Sequence, residues 1–598
     1  MAVNEIALVV VSPAGLETAT GLRSVLPGAR IHGLAGRVDG DEVFTDTMEH
    51  LRHLFAAKIP IIGICAAGIL IRAVAPLLSD KHNEPPVVAV AVDGSSVVPL
   101  LGGHHGANTL ARRIGVALRV APSLTTAGEL ALGVALDDPP PGWRLANPEA
   151  AKSVTAALLS EEPVALEVEA GDPSWLSGLT FSEVAEHAIR LTDRAVEHDE
   201  SELVIHPAVL TLGVGCERGT PPQDLLALVQ ATLATEALSP LAVACVASID
   251  LKADEAAVHA LAAELGVPAR FFTATELERQ VHRLVTPSEV VFAETGCHGV
   301  AEGAALAAAH PQAELIVPKV KAARATCAIA RSPQAVTPAA IGRARGRLYV
   351  VGIGPGTPEW RSPEASQAIA LSSDLVGYGM YLDLLGSAAT AKQRHESALG
   401  AEEARARRAL ELAAEGLTVS LVCSGDAGIY ALATLVFELL DRAKDPAWNR
   451  VEITVVPGIS ALQAAAARAG APVNHDFCTI SLSDLLTPWE TIEARLGAAA
   501  QGDFVVCFYN PVSQRRRDQL VKARDILLTG RPGTTPVILA RQLGRPGETV
   551  EVIALSDLSP DKVDMLTMVV VGNRETRSFS AGGHTWTYTP RGYGKKMV

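Results

Sequence analysis

Short runs of β-branched and aliphatic residues recur along the chain, each ended by glycine, proline or an acid and many followed by an alanine-rich stretch. Residues 6–11, 59–64, 87–92 and 97–101 form one such series, with Asp93-Gly94 between the last two. Asp-Gly between apolar runs predicts a hairpin. The other runs predict strands that alternate with helices. A second series occupies residues 348–351, 418–422 and 451–456, and every run in it enters a glycine-centred loop. The loops are Val351-Gly352-Ile353-Gly354-Pro355-Gly356, Ser424-Gly425-Asp426-Ala427-Gly428-Ile429-Tyr430 and Val456-Pro457-Gly458-Ile459-Ser460-Ala461. The second and third lead straight into alanine-rich segments that read as helices, so each loop is a strand-to-helix turn. Such turns gather at the carboxyl edge of a parallel sheet, where missing β-carbons let a small ligand approach the backbone. The pattern predicts a multidomain α/β protein.

The first loop does not fit a dinucleotide site. Gly-x-Gly-x-Gly is followed by Thr357-Pro358, where the dinucleotide fingerprint places its third small residue one position later at a helix entrance. Asp374 lies at a suitable distance downstream but precedes the apolar run Leu375-Val376-Gly377-Tyr378, whereas a ribose-binding acid ends its strand. No Gly-x-x-x-x-Gly-Lys-Ser/Thr loop is present, which disfavours a nucleoside triphosphate cradle.

In their order, the three loops resemble those of the tetrapyrrole (precorrin) methyltransferases, which use S-adenosylmethionine. His475-Asp476-Phe477, the segment from Ile480 to Trp489, Phe508-Tyr509-Asn510-Pro511 and Thr589-Pro590-Arg591-Gly592-Tyr593 resemble one branch, the precorrin-3B C(17)-methyltransferases. The resemblance covers roughly residues 346–598. It implies two α/β domains with a cleft between them. It implies that S-adenosylmethionine touches Gly354, Pro355, Gly356, Ser424, Gly425, Asp426, Ile429, Ser460, Ala461 and Asn510. Asp426 would answer the cofactor's positive groups or hydroxyls; its other reading is a loop acid that caps the following helix. Methylation in this branch is coupled to ring contraction, which needs a base facing the macrocycle. His475, Asp476 and Asp484 are the titratable residues of the branch motifs, with His475 favoured because imidazole exchanges protons near neutrality. The alternative is that His475 and Asp476 pair and fix the loop.

Composition narrows the picture further. At 598 residues the chain exceeds a single core, and length alone gives a prior of about four domains. With 48% hydrophobic and 20% charged residues it is globular. The formal charge of −15 disfavours nucleic acid as a partner. A carboxylate-rich macrocycle therefore needs a locally basic site, for which Arg515-Arg516-Arg517, Arg541 and Arg545 are candidates, with Arg516 and Arg541 foremost; solvated helix faces are the bland alternative. The eight cysteines include no Cys-x-x-Cys pair and mostly lie in apolar runs, as buried free thiols do, and no metal site is expected. Residues 59–78 carry Pro60, Gly63, Gly68, Arg72 and Pro76, which reads as strand, turn and helix and not as a membrane span. A cytoplasmic protein is expected, and the methyltransferase resemblance implies a homodimer.

Cys65-Ala66-Ala67-Gly68-Ile69, Ile71-Arg72, Ala75-Pro76-Leu77-Leu78, Asp80-Lys81 and the loop Gly102-Gly103-His104-His105-Gly106 resemble the amino-terminal part of the cobalt-precorrin-5A hydrolases. Gly213 to Gly219, Ala247 to Glu255 and Gly299-Val300-Ala301-Glu302 resemble that family's carboxyl-terminal domain. The implied domains are 1–135, a variable middle domain 136–205, and 206–330, together an α/β hydrolase-like region of about three small domains. A linker at 331–346 and a methyltransferase domain at 347–598 complete the chain. The implied reaction is lactone opening with loss of acetaldehyde, for which His104, His105 and Lys252 could supply base and charge-stabilising groups. Which of the two histidines is equivalent to the family's single one stays open. A non-catalytic module that binds and hands corrinoid intermediates to other cobalamin-pathway enzymes is the rival reading. Whether the macrocycle carries cobalt also stays open.

Overall fold

The computed structural model describes residues 6–26, 28–79, 84–103, 106–125, 131–390, 392–398, 400–513 and 516–591. Two compact units emerge. One is built essentially from the chain up to residue 347 with 412–417 and 445–452; the other is built from 348–411, 418–444 and 453 onward.

The first unit contains three sheets. Strands β1 (Ile6–Val10), β2 (Ala29–Leu34), β3 (Glu42–Phe44), β4 (Ile61–Ile64), β5 (Val87–Val90) and β6 (Val97–Leu101) pair in the order β3-β2-β1-β4-β5-β6. All pairings are parallel except β5 with β6. That last pair is the hairpin predicted at Asp93-Gly94, where Gly94 takes φ +72° and the Asp93 carboxylate accepts the Ser95 amide at 3.0 Å. Every side chain of β1, β4 and β5 is buried, as expected for parallel strands covered on both faces. After β4 the chain turns into the helix Ala67–Val74, and no helix among the described residues is long and apolar enough to cross a membrane.

A second sheet joins β7 (Trp143–Leu145), β8 (Val164–Val168), β9 (His187–Leu191) and β10 (Glu202–Pro207) in the order β7-β10-β9-β8. The third sheet joins β11 (Leu210–Cys216), β12 (Val243–Ile249), β13 (Ala269–Phe272), β14 (Glu314–Lys321) and β15 (Ala325–Arg331) in the order β13-β12-β11-β15-β14. The helix Val300–Ala308 lies directly on β11. A β-carbon at Gly213 would stand 1.9 Å from the Ala301 carbonyl oxygen, so only glycine permits this approach. Part of the stretch read as a linker follows the edge of this sheet, because Phe271 and Arg343 exchange two N–H···O bonds of 2.8 Å.

In the second unit, β16 (Arg347–Gly352), β17 (Asp374–Tyr378), β18 (Gln393–Ser397), β19 (Thr418–Cys423) and β20 (Glu452–Val456) form a sheet in the order β18-β17-β19-β16-β20. Asp374 is the first residue of β17, as the pattern required, and accepts a hydrogen bond from His395 at 2.8 Å. A small sheet of β21 (Gly470–Ala471), β27 (Arg577–Ala581) and β28 (His584–Tyr588) accompanies a mixed one. The mixed sheet contains β22 (Phe477–Ser481), β23 (Val505–Tyr509), β24 (Pro536–Arg541), β25 (Thr549–Ala554) and β26 (Thr567–Val571), ordered β22-β23-β26-β24-β25.

Candidate functional site

The three glycine loops of the second unit meet at the ends of β16, β19 and β20. Gly354 and Gly425 exchange backbone hydrogen bonds of 3.1 and 2.8 Å, which ties the first loop to the second. A β-carbon on Gly352 would lie 2.7 Å from the Gly425 oxygen and 2.8 Å from the Gly458 nitrogen. The third loop is held by Asp426, whose carboxylate accepts the Gly458 amide at 3.0 Å and its own loop's Gly428 amide at 2.8 Å. Beside the two readings of Asp426, the structure gives it a further role: the acid pins loop to loop. Ser460 then opens the helix Ala461–Ala469 with a capping box completed by Gln463. The second loop does not enter its helix at once, since helix Leu432–Ala443 starts eight residues after Ser424. The first loop passes through a short turn, Pro358–Trp360, before helix Pro363–Leu371.

Beside these loops lies a cleft of about 290 Å³. Five of the ten positions that the resemblance assigns to S-adenosylmethionine line it: Pro355, Ser424, Ile429, Ala461 and Asn510. Gly354, Gly356, Gly425, Asp426 and Ser460 belong to the loops but are not on its lining. Tyr430, Asn510 and Gln542 all line the cleft and all take positive φ, at 51°, 50° and 51°. Non-glycine residues in that region carry a conformational cost that surrounding structure has to hold in place. Asn510 is held by a hydrogen bond from its side-chain amide to Ser481 at 3.1 Å and by Arg516, which donates to its carbonyl at 3.0 Å.

Arg545 is the central cation of the cleft. It donates to the Pro355 carbonyl at 2.8 Å and the Ser424 hydroxyl at 3.1 Å, linking the first two loops. Burial pulls its guanidinium below the ordinary arginine value, with Tyr381 opposing that effect. The Tyr381 phenol is pushed up by burial, with Arg545 acting the other way. Arg405, on the same lining, is buried and donates to Ser397 and the Ala398 carbonyl at 2.7 and 2.9 Å. Burial raises the Cys423 thiol to about 11. Sequence reasoning grouped Arg545 only with other basic candidates and missed Tyr381 and Arg405, which arrive from helices outside every glycine motif.

The remaining sequence-derived residues of this unit lie off the cleft lining. His475 is half exposed and accepts the Asp476 amide at 2.8 Å, while the two side chains stand 3.9 Å apart. Asp484 is exposed and accepts from Gln519 at 2.8 Å. Arg541 is paired with Asp564 at 2.6 Å. Arg516 also donates to Ser483 at 2.9 Å, so of the two named arginines it alone reaches a cleft residue. Arg515, Gly592 and Tyr593 lie outside the described residues, as do Asp80, Lys81, His104 and His105 of the first unit.

The first unit has a cavity of its own, about 740 Å³, at the carboxyl ends of β11 and β12. Lys252 lines it with Arg218, Lys319, Lys321 and Arg324, five cations against Glu217 and Glu294. Against a chain charge of −15 this is a strongly positive concavity. The Lys252 ammonium stands 3.8 Å from buried Glu255, which also accepts the Gly219 amide at 3.0 Å. Lys319 donates to the Thr286 carbonyl at 3.0 Å, and burial followed by the Lys321 charge lowers its ammonium below the ordinary value. The Cys216 thiol is raised by burial, with Lys252 countering.

Glu302, on the helix that floors this cavity, is the structural acid of the site. It accepts from the amides of Val285, Thr286 and Lys319 and from the Thr286 hydroxyl, at 2.8 to 3.0 Å. Burial alone would raise its carboxyl, but these donors outweigh that and hold it below the usual carboxylate value. The depressed folded-state value means that the unfolded chain binds the proton more tightly. Glu302 therefore contributes stability that is full above the ordinary glutamate value near 4.3 and is lost as pH falls from there through its lower folded-state value. Glu302→Gln is expected to lower the stability of the first unit by about 2 kcal/mol at pH 7 and by progressively less toward pH 3. Thermal unfolding at a series of pH values checks this; a pH-independent difference contradicts it.

Family models match three stretches: "Cobalamin synthesis G N-terminal" at residues 49–129, "Cobalamin synthesis G C-terminus" at 210–330 and "Tetrapyrrole (Corrin/Porphyrin) Methylases" at 347–559. A precorrin-3B C(17)-methyltransferase from Sinorhizobium sp is 44% identical over 250 residues, 42% of this chain and 97% of that protein. A cobalt-factor III methyltransferase from Priestia megaterium is 45% identical over 254 residues, 42% of this chain but 46% of that protein, so the chain spans about half the length of that relative. A crystal structure of the methyltransferase CobJ shares 41% identity, covering 41% of this chain and 100% of that one, with a TM-score of 0.39. The glycine-loop unit is thus that of a tetrapyrrole methylase. Within that class, the chain belongs to the precorrin-3B C(17)-methyltransferase family.

Proposed function

We propose that the chain acts in cobalamin biosynthesis as a fusion of two activities on tetrapyrroles. The segment 347–598 transfers a methyl group to carbon 17 of precorrin-3B or its cobalt form, with ring contraction, and the segment before residue 331 hydrolyses cobalt-precorrin-5A to cobalt-precorrin-5B and acetaldehyde. The domain limits 1–135, 136–205, 206–330, linker 331–346 and 347–598 belong to this reading. The observation that carries it is the meeting of three glycine loops at backbone contact beside a cleft lined by Pro355, Ser424, Ile429, Ala461 and Asn510.

This cleft suits S-adenosylmethionine. Glycines at 352 and 458 let the three loops pack at backbone contact, Ile429 and Ala461 offer apolar wall, and Ser424, Asn510 and Arg545 offer donors and acceptors for hydroxyls and a carboxylate. When bound, S-adenosylmethionine supplies the methyl group as an electrophile. The residues of this chain hold and orient the reactants and exclude water, which is the greater part of what an in-line transfer between bound partners requires. Asp426 fixes the loops and Arg545 bridges them. Ring contraction also needs a hydroxyl proton removed; His475 is the proposed base, with Asp476 and Asp484 as the other candidates, and Glu402 is the carboxylate on the lining itself. Arg516 and Arg541 are proposed contacts for substrate carboxylates, and a homodimer in the cytoplasm is the proposed working form.

In the first unit, Lys252 with Lys319 and Lys321 would receive substrate carboxylates, and His104 or His105 would act as base. A second reading, which the same cationic cavity serves equally, is that this unit binds and transfers corrinoids without catalysis. Anaerobic incubation of the full chain with cobalt-precorrin-5A separates the two. Stoichiometric acetaldehyde, lost in Lys252→Ala, supports hydrolysis; tight binding without acetaldehyde supports hand-over.

A further inference from the structure

In the first sheet of the amino-terminal unit, three side chains capable of binding a metal converge away from both cavities. His32 points inward from β2 and is fully buried, Glu42 comes from the edge strand β3, and His50 lies on the helix Thr47–Ala56. Asp46 caps that helix by accepting the Met48 and Glu49 amides at 2.8 and 3.0 Å, which fixes where His50 falls on its first turn. The His32 Nδ1 atom stands 2.9 Å from Nε2 of His50 and 3.2 Å from Oε2 of Glu42. The three ligand atoms lie within 4.8 Å of one another, and this is the one such group of histidine, cysteine and carboxylate among the described residues.

We propose that His32, Glu42 and His50 bind one divalent transition-metal ion of the zinc, nickel or cobalt class, with a fourth position left to water. Two atoms each about 2.1 Å from a common ion lie roughly 3.0 to 3.4 Å apart at coordination angles of 90° to 109°; the 3.2 Å His32–Glu42 contact falls in that range and the 2.9 Å His32–His50 contact just below it. A proton does not account for the geometry as well. His32 Nδ1 carries at most one hydrogen, and that hydrogen aims at one neighbour at a time. If His50 instead donates to His32, the Glu42 oxygen faces the same lone pair at 3.2 Å. A cation meets all three electron pairs together.

The surroundings are those of a held ligand set. Arg30 takes the other Glu42 oxygen at 2.8 Å, which turns Oε2 toward the histidines. Phe44 stacks on the His50 ring at 4.5 Å with planes 6° apart, fixing its orientation. Two imidazoles and one carboxylate suit zinc and its neighbours better than calcium or magnesium, which favour all-oxygen sites. The ion would join the edge strand β3, its neighbour β2 and a helix that are brought together by folding alone.

The test uses the full chain, stripped with a chelator and titrated with Zn²⁺ in competition with a chromophoric chelator. Co²⁺ then serves as an optical probe of coordination number. One tightly held ion per chain is expected, with Co²⁺ absorption of four- or five-coordinate character. His50→Gln and Glu42→Gln each should weaken that ion about 100-fold or more, with far-ultraviolet circular dichroism unchanged, whereas exposed His310→Gln should not. Both test variants sit at partly exposed positions, so either one carries the result if the other fails to fold. Failure of the wild-type chain to retain an ion, or equal retention by wild type and both variants, overturns the proposal.

Discussion

Gly458→Ala is expected to abolish measurable cofactor binding and methyl transfer while leaving the amino-terminal unit folded. A β-carbon at this position would stand 2.2 Å from the Gly425 carbonyl oxygen and 2.7 Å from the carbon and oxygen of Gly352. All three are backbone atoms, so no side chain can rotate away. The loops must part, and the Asp426 bond to the Gly458 amide goes with them. Overpacking of this kind costs about 1–3 kcal/mol where neighbours relax, and here relaxation displaces the very wall that lines the cleft. A loss of at least about 100-fold in affinity for S-adenosylhomocysteine corresponds to the upper part of that range. Gly497→Ala provides the control. It lies in the helix Trp489–Gln501 with nothing within 4 Å of a new β-carbon, so it should raise stability by up to about 1 kcal/mol. Calorimetric titration and thermal unfolding of both variants check the pair, and wild-type affinity in Gly458→Ala contradicts the role given to the loops.

The second large effect is expected at Arg545. Its guanidinium bonds the Pro355 carbonyl and the Ser424 hydroxyl at once, a two-pronged contact made from a half-buried position. Removing it leaves two polar groups short of a donor and takes a positive charge from the cleft. Hydrogen bonds to a charged group contribute about 1.5–3 kcal/mol each, so Arg545→Ala should lower kcat/KM for S-adenosylmethionine by on the order of 100-fold or more. Lysine offers a point charge without the planar fork. Arg545→Lys should therefore recover only a small part of the loss. Steady-state kinetics with both variants checks this, and near-complete rescue by lysine would mean that charge alone matters.

The chain's local pattern carried much of this architecture. The Asp93-Gly94 hairpin, the strands before the three glycine loops and Asp374 at the start of β17 were all legible, because each depends on a few neighbouring residues. The glycine loops were legible as a ligand site for the same reason. What escaped is set by residues distant in sequence. Arg545 reaches loops 190 and 121 positions away. Asp426 has a chemistry visible in sequence, yet its partner Gly458 is known only once the loops are packed together. Arg541 looked like a free cation until Asp564 came to face it. His475 and Asp484 belong to a specific motif, but the motif folds onto an exposed stretch and not onto the cleft lining. In the amino-terminal unit, Lys319 and Lys321 join Lys252 because β14 pairs with β15, which itself lies antiparallel beside β11, an order that periodicity does not reveal. The grouping of His32, Glu42 and His50 likewise follows from the sheet order, since the three positions are 10 and 8 residues apart with no metal-ligand spacing.

The central claim is methyl transfer to carbon 17 in the glycine-loop cleft, and one labelled turnover addresses it most directly. The full chain is incubated with precorrin-3B, or with its cobalt form in a parallel anaerobic reaction, and S-adenosylmethionine carrying a ¹³C methyl group. The product is then assigned by carbon NMR. The account predicts a single new labelled methyl on carbon 17 of a ring-contracted macrocycle in at least one reaction, absent with Gly458→Ala. Label on another carbon, or transfer that survives Gly458→Ala, would contradict it.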